Sequence, residues 1–460
     1  MPLISSSSKR LVALLVAAGL AACSTGPAHV RPVVNLPAQF VVEPGSADWQ
    51  ARSPQGFASS EAVWTAFEDA QLTRLLTAAG QGSQTLKAAE ARYRAARATL
   101  QISEAGRLPQ LDSRLKASQN HDTGSASSAS LSVGVSWEVD LWGRIARAVE
   151  GATATAEAGA HDLAAARLSL QALVAQTYLQ WRAGMAEATL WQRILEADRR
   201  LLALTHERHG IGVVSGLDVA QAETQLANSE AQAAENDLRV RQTRHALATL
   251  VGDPALTLSV ETSLPKIPAT PVLVPSRLVE RRPDIQAAER RVAAANAAIG
   301  QAKTAFFPTL NLTADAGLRG SHLARIASQP IHFWSLGPSL ALTVFDADAR
   351  RAGVSRAEAE HEAVVAEYRQ VVLTAFQEVQ DNLAAAQGLT IQAAHQETAV
   401  SAARRASAIA VAQYQAGTIS GMDTLATQRA EQSAEIQSLR LWERRMTASV
   451  QIFKIVAGEI

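Results

Sequence analysis

Residues 131–141 read LSVGVSWEVDL, a run in which apolar residues alternate with polar ones without a break. A period of two over about ten residues predicts a β-strand with one apolar face and one polar face. That length is typical of a strand that shows lipid on one side and water on the other, whereas strands of soluble sandwiches are usually shorter. The stretch therefore favours a membrane strand and leaves a sandwich strand as the alternative.

Three further stretches carry the same alternation, and they are Leu111–Ser118 (the weakest), Leu310–Leu318 and Ser335–Val344. Residues 119–130 and 319–331 lie between paired stretches and are polar or mixed, so we expect long outward loops there. Closing a sheet across a membrane takes about eight strands, and open sheet edges in lipid are prohibitive. Four strands in a membrane therefore predict an oligomer in which each chain supplies part of one barrel.

The chain also repeats itself once. Four motifs of the first half recur about 200 residues later in the same order, which predicts a tandem duplication. The pairs are Leu86–Arg92 with Ile285–Arg291, Leu108–Leu111 with Phe307–Leu310, Ser132–Ser136 with Ser335–Ser339, and Gly212–Asp218 with Gly417–Asp423. We expect each half to hold a helix of about 25 residues that ends at a proline, then two strands and a long helical hairpin.

Two proline-free tracts, about 144–210 and 347–415, predict helices on the order of 100 Å long. Shorter partner helices are expected over about 217–251 and 422–456, with apolar residues every seven positions. This predicted seam comprises Val219, Leu226, Ala233, Val240 and Leu247 in the first half, and Leu425, Leu439, Met446 and Phe453 in the second, where Gln432 breaks it. The pattern predicts coiled-coil pairs, and an ordinary helical bundle is the alternative.

The N-terminus resembles a lipoprotein signal. Lys9 and Arg10 precede an apolar run that ends in Leu20-Ala21-Ala22-Cys23, and Cys23 is the single cysteine of the chain. The pattern predicts a signal peptide over 1–22 and lipid attachment at Cys23, with an ordinary signal peptide as the alternative. Ser24, not aspartate, follows the cysteine, and by resemblance to lipoproteins this favours the outer membrane.

Composition excludes several other classes. Lys plus Arg number 43 and Asp plus Glu number 43, so no net field attracts nucleic acid. The ten histidines show no HExxH spacing, and no G-x-S-x-G, P-loop or dinucleotide motif appears. We therefore expect no enzyme, no metal and no cofactor besides the lipid on Cys23. Arg281-Arg282-Pro283-Asp284 is interpreted as a helix start, because proline and aspartate favour first-turn positions.

The expected organisation follows from these patterns. A lipid-anchored extended segment covers 23–60, a first structural repeat covers 61–252, a proline-rich linker covers 253–280 and a second repeat covers 281–460. The fold class is α+β, with four strands per chain and long coiled-coil helices.

Four motifs together resemble the TolC family of outer membrane factors, in particular its lipid-anchored efflux branch that works with RND-type pumps. They are Trp64–Asp69, Trp137–Arg144, Leu217–Leu226 and Arg281–Arg291. The resemblance implies a homotrimer with a 12-stranded barrel in the outer membrane and an α-helical barrel in the periplasm. It also implies two partners, a periplasmic adaptor (membrane fusion) protein and an inner-membrane pump.

The candidate site residues lie at the helix turns and at one strand end. By resemblance, the turns Gly212, Val213, Val214, Ser215 and Gly417, Thr418, Ile419, Ser420 are expected to contact the adaptor. Asp423 is predicted to form a ring of negative charge that gates the periplasmic end, although helix capping is an equally good interpretation. Arg429 could pair across helices, but a solvated arginine is the favoured alternative. Trp137 and Trp142 suit an interfacial aromatic belt, with a buried core position as the alternative.

Three functions fit this reading. The first is a passive trimeric duct that exports small toxic compounds as the outer membrane part of a tripartite efflux system. The second is a channel of the same fold for type I protein secretion, which lipid anchoring disfavours. The third is a non-channel coiled-coil periplasmic lipoprotein, which the four alternating strands disfavour.

Overall fold

A computed structural model describes residues 25–37, 62–121, 125–259, 263–268 and 282–457 of the 460-residue chain. Cys23 and most of the linker predicted over 253–280 lie outside these residues. A short 3₁₀ turn, Ala62–Phe67, opens the first half. The following elements are α1 Ala70–Gly82, α2 Gln84–Ala105, β1 Gln110–His121, β2 Ser125–Val139, α3 Arg144–Gly210 and α4 Gly216–Val251. The second half contains α5 Pro283–Thr304, β3 Thr309–Gly320, α6 Leu323–Ser328, β4 Ile331–Ala341, α7 Ala349–Gln415 and α8 Gly421–Ala457.

The four strands form one antiparallel sheet in the order β1-β2-β3-β4. In β2, Ser136 pairs with Gln110 of β1 on one side and with Thr313 of β3 on the other. The central contact joins a strand of the first half to a strand of the second, so neither half completes the sheet alone.

The prediction of long irregular loops over residues 119–130 and 319–331 is wrong. The serine-rich stretch from Ser125 to Ser130 continues β2 and pairs with β1 residue by residue. Backbone ladder bonds need no apolar side chains, so a run without alternation can still be a strand. Between β3 and β4 the chain forms α6, which buries Ile326.

Each long helix, α3 and α7, has 67 residues, which at about 1.5 Å per residue is on the order of 100 Å. In the part of the chain that the structure describes, no helix is both long enough and apolar enough to cross a membrane.

The chain divides into two compact units. The first comprises the described residues up to Val34 together with Glu90–Asp162 and Asp284–Val371, and it contains the whole sheet. Its N-terminal segment, of which residues 25–34 are described, contacts α3 and α5. The Thr25 hydroxyl donates to the Trp142 carbonyl over 2.8 Å, and the Arg147 Nε donates to the Thr25 carbonyl over 2.9 Å. A side chain at Gly26, whose φ is +99°, would overlap the backbone of Gly300.

The second unit comprises the described residues of Asn35–Ala89, Leu163–Pro283 and Val372–Ile460. Its main core is an aromatic cluster formed by Trp64, Phe67, Tyr178, Trp181 and Phe453. The rings of Phe67 and Phe453 lie 5.2 Å apart. Asp69 caps α1 by accepting from the Leu72 amide, and its other carboxylate oxygen accepts from the Tyr178 hydroxyl at 2.9 Å. The core therefore fixes the start of the first repeat against the middle of α3.

Candidate functional site

Two tight turns reverse the long helices. Gly212 and Gly417 take φ values of +76° and +78°, a left-handed conformation that other residues rarely adopt. Behind the first turn, Ser215 and Asp218 form a capping box, in which the Asp218 carboxylate accepts from the Ser215 amide at 2.9 Å and hydroxyl at 2.6 Å. The hydrogen bond from the Ser215 hydroxyl is the main reason that the pKa of Asp218 is lowered.

The second turn repeats this chemistry at Asp423. The Ser420 hydroxyl donates to the Asp423 carboxylate over 2.7 Å and accepts from the Asp423 amide over 3.2 Å. Asp423 is exposed and occupies the first turn of α8. The geometry gives this carboxylate a capping role within one chain, and its role as a gate stays a prediction.

The turns expose large apolar side chains. Ile211 is 76% exposed, Val213 is 65% exposed and Leu217 is 67% exposed. Sequence reasoning named Val213 but missed Ile211, which lies just outside the repeated motif, and Leu217, which lies inside it. Not every predicted contact residue is free, since Ile419 packs against a cluster of Leu201, Tyr414 and Leu425.

A tyrosine missed by sequence reasoning lies behind the second turn. Tyr414 is 2% exposed, and its hydroxyl lies 3.3 Å from the Thr205 hydroxyl. The Arg208 guanidinium stacks 4.2 Å from the Tyr414 ring centre, and its Nη2 donates to the Gln415 carbonyl. These contacts join the end of α3 to the end of α7.

Further from the reversals lies a polar network, in which Asp198, Gln225 and Ser229 are buried, Gln432 is half-buried and Arg429 is exposed. Asp198 is 2% exposed, and its Oδ2 accepts from the Ser229 hydroxyl at 2.6 Å and the Gln225 amide at 3.5 Å. Its Oδ1 is buried without a hydrogen-bond partner. Burial is the largest influence on this carboxyl group and raises its pKa.

Arg429 completes this network. Its Nε donates to the Gln225 Oε1 over 2.6 Å, and the amide of the same Gln225 donates to Gln432 over 3.2 Å. Arg429 is exposed, in line with the favoured expectation of a solvated arginine, and it also reaches across from α8 to α4. Its function as part of a gate stays a prediction.

The network also corrects the predicted seam of α4. Val219, Leu226, Ala233 and Val240 are only half-buried, and of the predicted set only Leu247 is fully buried. Gln225, Ser229 and Asn236 are buried instead. For Gln225 and Ser229 the physical reason is Asp198, because a buried carboxyl group needs hydrogen-bond donors opposite it and apolar residues cannot supply them. Asn236 donates instead to the Gly184 carbonyl over 3.0 Å.

The sheet has one apolar and one polar face. On the apolar face, Leu111, Leu115, Trp334, Leu336 and Leu340 are between 61% and 80% exposed. An apolar patch this continuous indicates a surface that meets lipid or another chain.

The two predicted belt tryptophans lie near the helix end of this sheet. Trp137 donates to the Arg107 carbonyl at 3.0 Å, and Trp142 donates to the Pro308 carbonyl at 2.7 Å. Trp142 also stacks on Phe307, with ring centres 4.8 Å apart. Both tryptophans are half-buried, and their role at a membrane interface stays a prediction.

Among the described residues, no group of three or more histidine, cysteine, aspartate or glutamate side chains is placed to hold a metal ion. The lipid attachment predicted at Cys23 lies outside the described residues.

Comparisons with known proteins cover nearly the whole chain. A family model described as outer membrane efflux protein matches residues 75–253 and 274–458. Outer membrane protein OprJ of Pseudomonas aeruginosa is 31% identical, over 97% of this chain and 95% of the relative. The pyoverdine export outer membrane protein OpmQ of the same organism is 31% identical, over 95% and 94%.

Solved structures agree. The outer-membrane channel OprN superposes with a TM-score of 0.85 at 30% identity, over 95% of this chain and 99% of that structure. These matches confirm the predicted TolC-like fold, with four strands and long paired helices in each chain.

Proposed function

Because this chain belongs to the outer membrane efflux protein family, we propose that three copies form a passive duct through the outer membrane. It is the outer membrane component of an efflux system. The observation that carries the proposed duct is the two-faced sheet: exposed leucines and a tryptophan cover one face, while serine, threonine and charged residues cover the other. Lipid requires the first face to point outward, so the polar face lines the duct.

The sheet edges support an oligomer of this chain. Within the described residues, β1 and β4 each pair on one side only. Each edge therefore offers backbone donors and acceptors that lipid cannot satisfy. Joining β4 of one chain to β1 of the next, three times, closes twelve strands and satisfies both edges.

The turns supply the proposed partner surface. Ile211, Val213 and Leu217 are exposed apolar side chains on rigid reversals of long helices. We assign this surface to a periplasmic adaptor, which connects the duct to an inner-membrane pump that supplies the energy.

The proposed cargo is a class of small toxic compounds. One relative is named for the export of pyoverdine and another for the efflux of toluene, so the cargo differs among relatives of this chain. The proposed lipid on Cys23 would hold the mature chain in the outer membrane, in addition to the sheet.

Reconstitution tests the proposal. The purified protein should run as a heat-modifiable trimer from outer-membrane fractions and conduct ions in planar bilayers. A protein that is monomeric and soluble without detergent contradicts it.

A matched pair of variants tests the direction of the faces. Leu336→Arg places a charge on the 73% exposed apolar face, and an arginine facing lipid at mid-membrane costs about 2–4 kcal/mol. Ser335→Arg places the same charge on the polar face, opposite Asp315. We expect the first variant to lose trimer from the outer membrane and the second to retain it. Equal behaviour of the two variants argues against the assignment.

A further inference from the structure

The polar face of the sheet carries two cations and two carboxylates in two separated layers, with Arg114 at the level between them. Glu138, nearer the helices, is paired with Arg144 at 2.7 Å. Lys116 of β1 pairs with Ser130 of β2, which pairs with Arg319 of β3, so the two cations lie at one level. Asp112 and Asp315 flank Gly134 in the same way, four residues nearer the helices. We call these the basic layer and the acidic layer.

The two carboxylates of the acidic layer lie close to Gly134, which has no side chain to occupy the space between them. A Cβ on Gly134 would lie 2.7 Å from the Asp315 Oδ1 and 3.6 Å from the Asp112 Oδ1. Both carboxylates therefore occupy the space above this glycine, on the polar face. Arg114 contacts Asp112 at 3.5 Å, but both side chains are more than half exposed, so this ion pair offsets only part of the negative charge.

The basic layer is positioned by an aromatic ring. The Arg319 guanidinium lies 4.6 Å from the ring centre of Phe333, which pairs with Gly317 on the polar face. A cation over an aromatic face is attracted by the electrons of the ring. The contact holds Arg319 on the polar face, in the half of β3 remote from α5.

The distance between the two layers is larger than the distance over which salt screens their electrostatic fields. Four residues of a strand span about 13 Å, whereas the screening length in physiological salt is about 8 Å. The two layers therefore present opposite potentials in sequence to any solute that moves along the sheet.

We propose that these residues make the outer part of the duct a two-layer charge filter. The inference rests on the proposed function, in which the polar face lines a three-chain duct, so that six cations from Lys116 and Arg319 form the outer layer and six carboxylates from Asp112 and Asp315 form the inner layer. The outer layer repels cations that approach from outside, and the inner layer repels anions that pass it. The passage of small solutes of either net charge is slowed in both directions, while neutral or zwitterionic molecules pass.

The test measures local potential with thiol reagents of opposite charge. Ser130→Cys places a thiol in the basic layer, and Ser335→Cys places one beside Asp315 in the acidic layer. Intact outer membranes are treated with anionic and cationic methanethiosulfonates, and the ratio of the two reaction rates is measured for each variant. The ratio cancels differences in thiol ionisation, and the parent protein gives the background rate.

A potential difference of about one kT between the layers makes the anionic-to-cationic ratio about sevenfold higher at Ser130→Cys than at Ser335→Cys. The difference should shrink in molar salt. Adding Lys116→Glu and Arg319→Glu should invert the ratio at position 130. The charge-conserving control, Lys116→Arg with Arg319→Lys, should leave it unchanged. Equal ratios at both positions in low salt, or a ratio that ignores the charge reversal, overturn the filter.

A third thiol separates this result from failure of the duct itself. Leu131 neighbours Ser130 but lies on the opposite face of the sheet. If Leu131→Cys resists both polar reagents, the polar face lines the duct. The rate ratios at positions 130 and 335 then test the charge filter independently of the duct. If Leu131→Cys reacts as fast as Ser130→Cys, the proposed duct fails together with the filter.

Discussion

Helix α3 crosses two regions of the second unit that are held in opposite ways. Around Tyr178 the helix packs into the aromatic cluster, where rings fill the space. A buried ion pair there, between Arg182 and Asp69 at 3.2 Å, also binds the Tyr178 hydroxyl. Around Asp198, twenty residues later, the helix meets a network of amides, a hydroxyl and a carboxyl group with one oxygen unpaired.

The two regions should respond differently to side-chain truncation and to a change of pH. Apolar packing loses stability in proportion to the volume removed and is insensitive to pH. A buried carboxyl group changes its hydrogen-bonding capacity when it gains or loses a proton. The aromatic cluster therefore fixes α3, while the polar network lets its contacts with α4 and α8 depend on conditions.

The largest expected effect breaks the aromatic cluster. Phe453→Ala removes a ring that is 1% exposed, and such truncations cost about 3–5 kcal/mol. The melting temperature of the detergent-solubilised protein should fall sharply and by the same amount at pH 5 and pH 8. Phe345→Ala is the matched control, because Phe345 is 85% exposed and should melt close to the parent. A small effect of Phe453→Ala would show that the cluster does not hold the unit.

A smaller effect is expected when the polar network loses a donor. Ser229→Ala removes the 2.6 Å hydrogen bond to Asp198, and leaving a buried acceptor unpaired costs about 1–3 kcal/mol. The loss should be greater at pH 8, where the carboxyl group is charged, than at acidic pH. The control Ser433→Ala removes a hydroxyl from an exposed position of α8 and should have little effect. If the loss of stability in Ser229→Ala does not depend on pH, the ionisation of Asp198 does not affect this hydrogen bond.

The smallest effect has the opposite sign. Since burial raises the pKa of Asp198, the folded chain holds this proton more tightly than the unfolded chain does. Below the ordinary value of 3.8 both states are protonated and no penalty exists. As pH rises from there to the raised value, the unfolded chain ionises first and stability falls, and above it the penalty is constant.

Asp198→Asn removes this penalty. The variant should equal or slightly exceed the parent in melting temperature at pH 7.5, and its advantage should disappear as the pH is lowered toward 4. Asp237→Asn is a suitable control, because Asp237 is exposed on α4. If Asp198→Asn destabilises the protein most at neutral pH, the charged form is the one that the fold stabilises, and the comparison fails.

Sequence reasoning recovered the features that local chemistry determines. Alternation located β2 and β3, glycine and serine located both turns, and the proline-free tracts gave both long helices to within two residues. It missed what depends on distant partners. Ser125–Ser130 becomes a strand only because β1 lies beside its whole length and β3 beside its last two residues.

The same limit explains the site. Asp198 looks like any polar residue of a long helix, and only its contacts with α4 and α8 make it a buried group. Tyr414 likewise gains significance from Thr205, 209 positions earlier in the chain. Ile211 was missed because it flanks the compared motif. Leu217 lies inside the motif and was missed because only the turn residues Gly212–Ser215 were assigned to the contact surface.

The N-terminal segment, finally, fixes the position of Thr25, two residues after the proposed lipid site. Thr25 is tied to α3 through Trp142 and Arg147, and two residues of chain reach at most about 7 Å. The lipid proposed on Cys23 would therefore lie at a nearly constant height relative to the sheet. Its acyl chains would define the level of the membrane surface on the protein. Lengthening this tether between Cys23 and Thr25 would uncouple the anchor from the sheet without altering either one.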